Sequence, residues 1–221
     1  MTVQPPPSPP ADRPPAAKVN KPRVVAVEGG DDSRFLERML SHMGEMRVQV
    51  MNIGGKGNLS AYLATIRADA VTSGVDLSFI GVVRDADDDK RSAFQAACAA
   101  LSSNALPIPA APGEIASGSP STAVLILPAD RETGSLEDLV WESVRDQPAA
   151  RCVEGYIACL KRTGAMESHK EGKARVHAYL ASKNDPAVSV GLAADKGYWP
   201  LDSLAFDSIR RFIKLVAEHV S

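Results

Sequence analysis

Acidic residues follow three of the apolar runs in the sequence, at the positions where the predicted strands end. Glu28 comes directly after the first run, Asp85 and Asp87 come after the third, and Glu137 lies shortly after the fourth. Asp32 lies four residues after Glu28, in the first turn of the predicted helix that follows. Carboxylate oxygens without nearby Cys or His favour Mg²⁺ or Mn²⁺ over zinc or copper. The chemistry expected of these residues is therefore phosphate chemistry supported by a divalent metal.

The spacing of these acids indicates that they meet at one edge of a sheet. Ligands of open parallel sheets bind beyond the carboxyl ends of the strands. Residues two apart on an extended strand point to the same side, with Cα atoms about 6.5 Å apart, so Asp85 and Asp87 are expected to flank one cation. Glu28 ends a buried strand, where a carboxylate is costly unless it has a partner.

The elements that must position these acids are short apolar runs separated by segments of helical length. Strands that are apolar throughout and alternate with helices are typical of a parallel sheet covered on both faces. We therefore predict an α/β fold with a central, mostly parallel sheet of about four strands, flanked by helices, with extra helices towards the C-terminus. The predicted strands are 24–27, 48–53, 77–83 and 123–127, and the predicted C-terminal helices lie near 148–162, 170–183 and 203–219.

The sequence predicts one domain behind a proline-rich tail. Eight of the 16 prolines lie in residues 1–22, which are expected to be disordered. Residues 23–221 are expected to form a single α/β domain whose helical extension begins at about residue 146. No apolar run approaches the roughly 20 residues of a membrane span. The absence of a secretory signal pattern and the three cysteines favour a cytoplasmic protein.

The charge balance does not favour general electrostatic attraction of nucleic acid. The formal net charge is −2 at pH 7, and the predicted site is itself acidic. A nucleic acid would therefore need the metal and neighbouring basic residues to approach the site. The basic residues expected near it are Arg84, Lys90, Arg91, Arg210 and Arg211.

Two short motifs resemble those of a known domain. The segment 27–32, with Glu28 followed by glycine, and the Asp-x-Asp segment 85–87 resemble the two motifs of the Toprim domain. Asp32 and Glu137 resemble further acids found in the overcoming-lysogenization-defect (OLD) nucleases. With its segments 134–139 and 173–176, the chain is similar over nearly all of residues 23–220 to an uncharacterised family of small stand-alone Toprim proteins.

The resemblance implies a Toprim-like, Rossmann-like fold and a metal-dependent nuclease site. It implies catalytic roles for Glu28, Asp85 and Asp87, and metal binding by these three residues together with Asp32 and Glu137. The chain contains no Gly-x-x-x-x-Gly-Lys-Ser/Thr phosphate loop, so the ATPase that is fused to OLD nucleases would have to be a separate chain.

Lys173 is a further candidate, because it lies beside an apolar stripe on a predicted helix. An inward-facing ammonium could stabilise charge that develops on a phosphate. A surface lysine whose stem covers apolar neighbours is the alternative.

Several other residues have structural explanations beside functional ones. Asp31, Asp89 and Asp138 are expected at helix N-termini, where acids are favourable. The glycine-rich segment 54–57 fits either a phosphate contact or a plain turn between a strand and a helix. The pair 198–199 fits either base stacking or a packed corner.

Two functional hypotheses from different classes remain. The favoured one is a Mg²⁺-dependent or Mn²⁺-dependent phosphodiesterase acting on nucleic acid, with DNA preferred to RNA. The alternative is a non-catalytic binding or regulatory subunit of a DNA repair or defence complex, working with a separate ATPase partner. A metal-dependent phosphatase acting on a small nucleotide is a third possibility, and it would require a closed pocket.

Overall fold

The structure is a computed structural model that describes residues 18–166, 171–186 and 188–219. Most of the predicted tail, residues 1–17, lies outside the described residues. The last part of that segment contacts the sheet: Val19 is buried, and Lys21 Nζ donates a hydrogen bond to the Val48 carbonyl at 2.9 Å. The packed part of the chain therefore begins before residue 23.

The central sheet is mostly parallel, as the apolar runs predict. Its spatial order is β2-β1-β3-β5-β4. Strands β2, β1, β3 and β5 are parallel to their neighbours, and β4 is antiparallel to β5 at the edge. The two-residue strand β4 is too short to leave a pattern in the sequence. The strands are β1 (Arg23–Val27), β2 (Val48–Asn52), β3 (Phe79–Asp85), β4 (Ile115–Ala116) and β5 (Ser121–Leu127).

Helices cover both faces of this sheet. They are α1 (Gly30–His42), α2 (Leu59–Ser73), α3 (Lys90–Ser103), α4 (Leu136–Val144), α5 (Pro148–Arg162), α6 (Glu171–Leu180), α7 (Val190–Asp195) and α8 (Asp207–Glu218). No helix in the described part of the chain is long and apolar enough to span a membrane.

The core has two layers because successive residues of a strand face opposite sides of the sheet. Val25 and Val27 of β1 pack with residues of α1 and α4–α8. Val24 and Ala26 pack on the other face with residues of α2 and α3. The C-terminal helices thus share one core with the sheet.

Local hydrogen bonds fix the loops that leave the carboxyl ends of the strands. At the start of α1, the Gly29 N–H donates to Asp32 Oδ2 at 3.0 Å. At the start of α3, Asp89 accepts a hydrogen bond from the Arg91 N–H at 2.9 Å, as expected of a helix cap. At the start of α4, Asp138 lies at the helix N-terminus as expected and forms a capping box with Ser135, whose N–H donates to Asp138 Oδ2 at 2.9 Å.

Candidate functional site

The carboxyl ends of β1, β3 and β5 meet at a small cavity beneath α1, α4 and α8. Glu28, Asp32 and Asp85 contribute the acidic part of its lining. Its volume is about 10 Å³, close to the minimum that holds one water molecule. The structure thus brings acids from separate parts of the sequence to one edge of the sheet. The apolar part of the lining is formed by Phe35, Leu36, Val83, Leu127, Leu136 and Ile209.

The acids at this cavity influence one another strongly. Burial raises the pKa of Asp85 from 3.8 to about 8, the negative charges of Asp32 and Glu137 add to the rise, and a hydrogen bond from the Leu136 N–H opposes it. Burial also raises the pKa of Asp32 to about 6, opposed by the hydrogen bond from Gly29 and reinforced by Glu137 and Glu28. Glu137 therefore lies within electrostatic reach of both aspartates. The cluster carries more negative charge than its surroundings stabilise.

Glu28 is held by a buried ion pair. Arg84 Nε donates to Glu28 Oε1 at 2.5 Å, and the two side chains are only 9% and 11% exposed. The sequence suggested Arg84 as a basic residue near the site that could contact nucleic acid. The structure places it in the lining of the cavity, where it is buried and paired with Glu28. Its position inside the buried strand β3 was the missed signal, because a buried charge needs a partner.

Asp87 lies away from the cavity. Strand β3 ends at Asp85, and the Asp87 backbone has a φ of +50°, in the left-handed region that Asp tolerates better than most residues. Two backbone hydrogen bonds of 2.8 Å join Asp87 to Gly134. The extended geometry expected for the Asp-x-Asp pair is therefore not formed, and the Asp87 side chain is paired with Lys56.

Lys56 brings positive charge to the same edge of the sheet. Burial lowers its pKa, but the hydrogen bond with Asp87 and the charges of Asp87, Glu28 and Asp85 together raise it above its ordinary value. The segment 54–57 thus places a cation beside the acids. The sequence analysis predicted either a phosphate contact or a turn for this segment. It did not predict the ion pair between Lys56 and Asp87.

Glu137 and Lys173 meet at the outer rim of the cluster. Lys173 Nζ lies 3.5 Å from Glu137 Oε1, and the Lys173 side chain is 66% exposed. Lys173 is thus a surface residue rather than an inward-facing one. A close approach of α6 to α4 explains its position: a Cβ atom on Gly172 would lie 2.8 Å from Asp138 Oδ1. Only glycine fits there without displacing the Asp138 carboxylate.

The arrangement is not that of a preformed metal site. Within residues 18–166, 171–186 and 188–219, no group of three His, Cys, Asp or Glu side chains is placed to hold one ion. Glu28, Asp87 and Glu137 are instead paired with Arg84, Lys56 and Lys173.

The donor chemistry nevertheless fits Mg²⁺ or Mn²⁺. The cluster offers only carboxylate oxygens, which are the ligands that these cations prefer. The pKa values of Asp32 and Asp85 are raised chiefly by burial and further by the neighbouring acids. A divalent cation would favour the ionised form of both carboxylates.

The remaining sequence candidates have structural roles. Asp31 accepts a hydrogen bond from the Ser189 hydroxyl and another from the Gly191 N–H, which joins α1 to α7. Trp199 is buried, and its indole N–H donates to the Val190 carbonyl at 2.9 Å. Residues 198–199 therefore form a packed corner, with the indole buried rather than presented for base stacking.

Comparison with known proteins places the chain in a family. Similar solved structures include the C-terminal region of the Burkholderia pseudomallei OLD protein, with 13% identity and a TM-score of 0.47 over 90% of this chain and 98% of that one. The C-terminal region of the Xanthomonas campestris pv. campestris OLD protein has 11% identity and a TM-score of 0.36 over 91% of this chain and 87% of that one. These similarities do not identify an activity. No curated protein matches the sequence. The chain belongs to the family described as "Protein of unknown function (DUF3226)", whose sequence profile matches residues 22–218.

Proposed function

We propose that this protein is a Mg²⁺-dependent phosphodiesterase of the Toprim nuclease type that acts on nucleic acid, with DNA preferred to RNA. The convergence of Glu28, Asp32 and Asp85 on one cavity is the observation that carries the proposal. Metal-dependent phosphodiester hydrolysis uses acids that together bind a divalent metal, and three acids line the cavity at this edge of the sheet.

Each acid would have a distinct task. Asp32, Asp85 and Glu137 would hold the metal, because Asp32 and Asp85 line the cavity and the charge of Glu137 acts on both of them. When bound, Mg²⁺ would neutralise phosphate oxygens and activate water for in-line attack. Arg84 fixes one oxygen of Glu28, Oε1, and Oε2 would accept a proton from the attacking water. Lys173 would offset negative charge on the phosphate from the rim.

A cleavage assay tests the proposal. The purified protein is incubated with plasmid, short DNA and RNA in the presence of Mg²⁺, Mn²⁺ or EDTA. We expect cleavage only with metal and a loss of about 100-fold or more in Asp32→Asn and Asp85→Asn, because each removes a carboxylate that would bind the metal. The matched control is Asp88→Asn, which neutralises an exposed carboxylate in the loop between β3 and α3. Cleavage that persists unchanged in both cluster variants would refute the site.

The alternative is a non-catalytic subunit that works with a separate ATPase. It is favoured by one observation: three of the acids already have basic partners, so part of the negative charge is stabilised without metal. This alternative predicts no cleavage with any metal by a folded wild-type protein. It also predicts that an ATPase copurifies with the chain.

Lys56→Met tests whether the basic partners compete with the metal. Its ion pair with Asp87 joins half-exposed side chains, so the free energy of unfolding should change by less than about 1 kcal/mol. Mg²⁺ affinity should rise several-fold, because a positive charge near Asp87, Glu28 and Asp85 is removed. Calorimetric titration of Mg²⁺ measures the change. Unchanged or weaker binding would show that Lys56 does not compete with the cation.

A further inference from the structure

A second feature lies beside the acidic cavity. A groove of about 470 Å³ runs between α8, the end of β5 and the loop that precedes β4. We call it the α8 groove and define it by Lys90, Leu125, Ser208, Arg211, Phe212 and Leu215. Its volume falls within the range of about 300–1,000 Å³ that is typical of small-molecule sites.

The α8 groove and the acidic cavity are lined by residues of the same two elements, although the two linings share no residue. On α8, Ile209 lines the cavity, whereas the preceding residue, Ser208, lines the groove. On β5, Leu127 lines the cavity and Leu125 lines the groove. A ligand in the groove would therefore not depend on the acids of the cavity.

The charge of the α8 groove is opposite to that of the cavity. Lys90 and Arg211 contribute cationic side chains, and the described residues that line the groove include no carboxylate. Lys90 is fixed in place, since its Nζ donates to the Ala129 carbonyl at 2.5 Å. Arg211 is exposed, whereas the neighbouring Arg210 is bound to the Leu201 carbonyl and Asp207. Arg211 therefore has its guanidinium available for an anion.

The other residues that line the groove are mostly apolar, which restricts the class of anion. Leu125 and Phe212 are almost fully buried, whereas Pro112 and Leu215 are more exposed and line the groove with them. The Ser208 hydroxyl lies on α8 one turn before Arg211. A small inorganic anion would not contact the apolar residues of the groove. A phosphate that carries a flat, partly apolar group would contact both the cationic and the apolar residues.

A neighbouring hollow of about 390 Å³ shares Ser208 and Arg211 with the α8 groove but also contains Asp130, Glu142 and Asp207. Arg131 also lines this hollow and is paired with Asp130 and Glu142, so the charge there is mixed, whereas the charged residues of the α8 groove are both cationic. The phosphate is therefore placed between Arg211 and Lys90.

We infer that the α8 groove binds one nucleotide unit, with its phosphate between Lys90 and Arg211 and its sugar and base against the apolar wall. The unit is either a free mononucleotide or one residue of a nucleic-acid strand, since both present the same chemistry. The inference does not require that the acidic cavity hydrolyses anything.

Calorimetric titration of deoxyadenosine monophosphate in EDTA tests the inference. The wild-type protein should bind the nucleotide, and deoxyadenosine or inorganic phosphate alone should bind at least about tenfold more weakly. Arg211→Met should weaken nucleotide binding at least about tenfold, and Arg211→Glu should abolish it. Lys214→Met is the matched control, because it removes an exposed charge from the same helix outside the groove and should change affinity by less than about twofold.

Further arms separate this inference from the proposed hydrolysis and identify the source of the nucleotide. Asp85→Asn should bind the mononucleotide as the wild type does, even if it loses all cleavage. If a single-stranded oligodeoxynucleotide displaces the mononucleotide, and Arg211→Met weakens binding of that oligodeoxynucleotide, the natural ligand of the groove is one residue of a strand. An oligodeoxynucleotide that does not compete identifies a free nucleotide. Absence of nucleotide binding, equal binding of inorganic phosphate, or equal effects of Arg211→Met and Lys214→Met in folded variants would overturn the inference.

Discussion

Replacing Asp85 with asparagine is expected to stabilise the protein in EDTA at about pH 8 while removing its metal response. In the folded state the pKa of Asp85 is raised from 3.8 to about 8, chiefly by burial. Between these two values the folded protein keeps a proton that the unfolded chain has released. The free energy of unfolding therefore falls as the pH rises from about 4 to about 8, by up to about 1.4 kcal/mol per pH unit.

The asparagine side chain removes this dependence. It carries no charge, and its carbonyl oxygen can still accept the hydrogen bond that Leu136 N–H donates to Asp85 Oδ1 at 3.0 Å. The effect is measured as the Tm of both proteins between about pH 4 and pH 8, where each kcal/mol of unfolding free energy shifts Tm by about 2–4 °C for a chain of this size. The two plots of Tm against pH should coincide near pH 4 and separate as the pH rises. Parallel curves, or an equal gain in Asp88→Asn, would contradict the buried position of Asp85.

Replacing Arg84 with methionine is expected to destabilise the protein strongly, in contrast to the replacement of Asp85. The change leaves the Glu28 carboxylate, which is 11% exposed, without its cationic partner. Removing one member of a buried pair costs about 3–5 kcal/mol, because the other charge remains buried and unpaired. Urea unfolding at neutral pH measures this loss.

A double-mutant cycle shows whether the cost comes from the pair. Arg84→Met combined with Glu28→Gln should be clearly more stable than the sum of the two single changes predicts. Arg91→Met is the control, since Arg91 is exposed, and it should change stability by less than about 0.5 kcal/mol. Additive effects of the two core changes would mean that Arg84 and Glu28 do not stabilise each other.

The sheet could be predicted because its strands are continuous apolar runs. The run that became β5, Ser121–Leu127, is buried along its whole length, and such runs have few alternatives in an α/β chain. The common position of Glu28 and Asp85 followed from topology alone, because the carboxyl ends of neighbouring parallel strands share one edge. Helix α7, with six residues, was too short to give a recognisable period.

The electrostatic partners could not be predicted in the same way. Arg84 lies 56 residues from Glu28, and Lys56 lies 31 residues from Asp87. Which side chains meet over such separations depends on loop geometry rather than on periodicity. The left-handed backbone of Asp87 is likewise a local property of the loop that joins β3 to α3, and no hydrophobic pattern encodes it.

The account depends most on the claim that acids from α1, β3 and α4 hold one divalent cation together. Titration of Mn²⁺ into the protein, followed by the electron paramagnetic resonance signal of the free ion, tests this claim without requiring activity. We predict that the wild type and Asp88→Asn bind Mn²⁺ and release it to Mg²⁺. Asp32→Asn and Asp85→Asn should bind it at least about tenfold more weakly. Equal Mn²⁺ affinity in Asp85→Asn and Asp88→Asn, or no binding by the wild type, would contradict the claim.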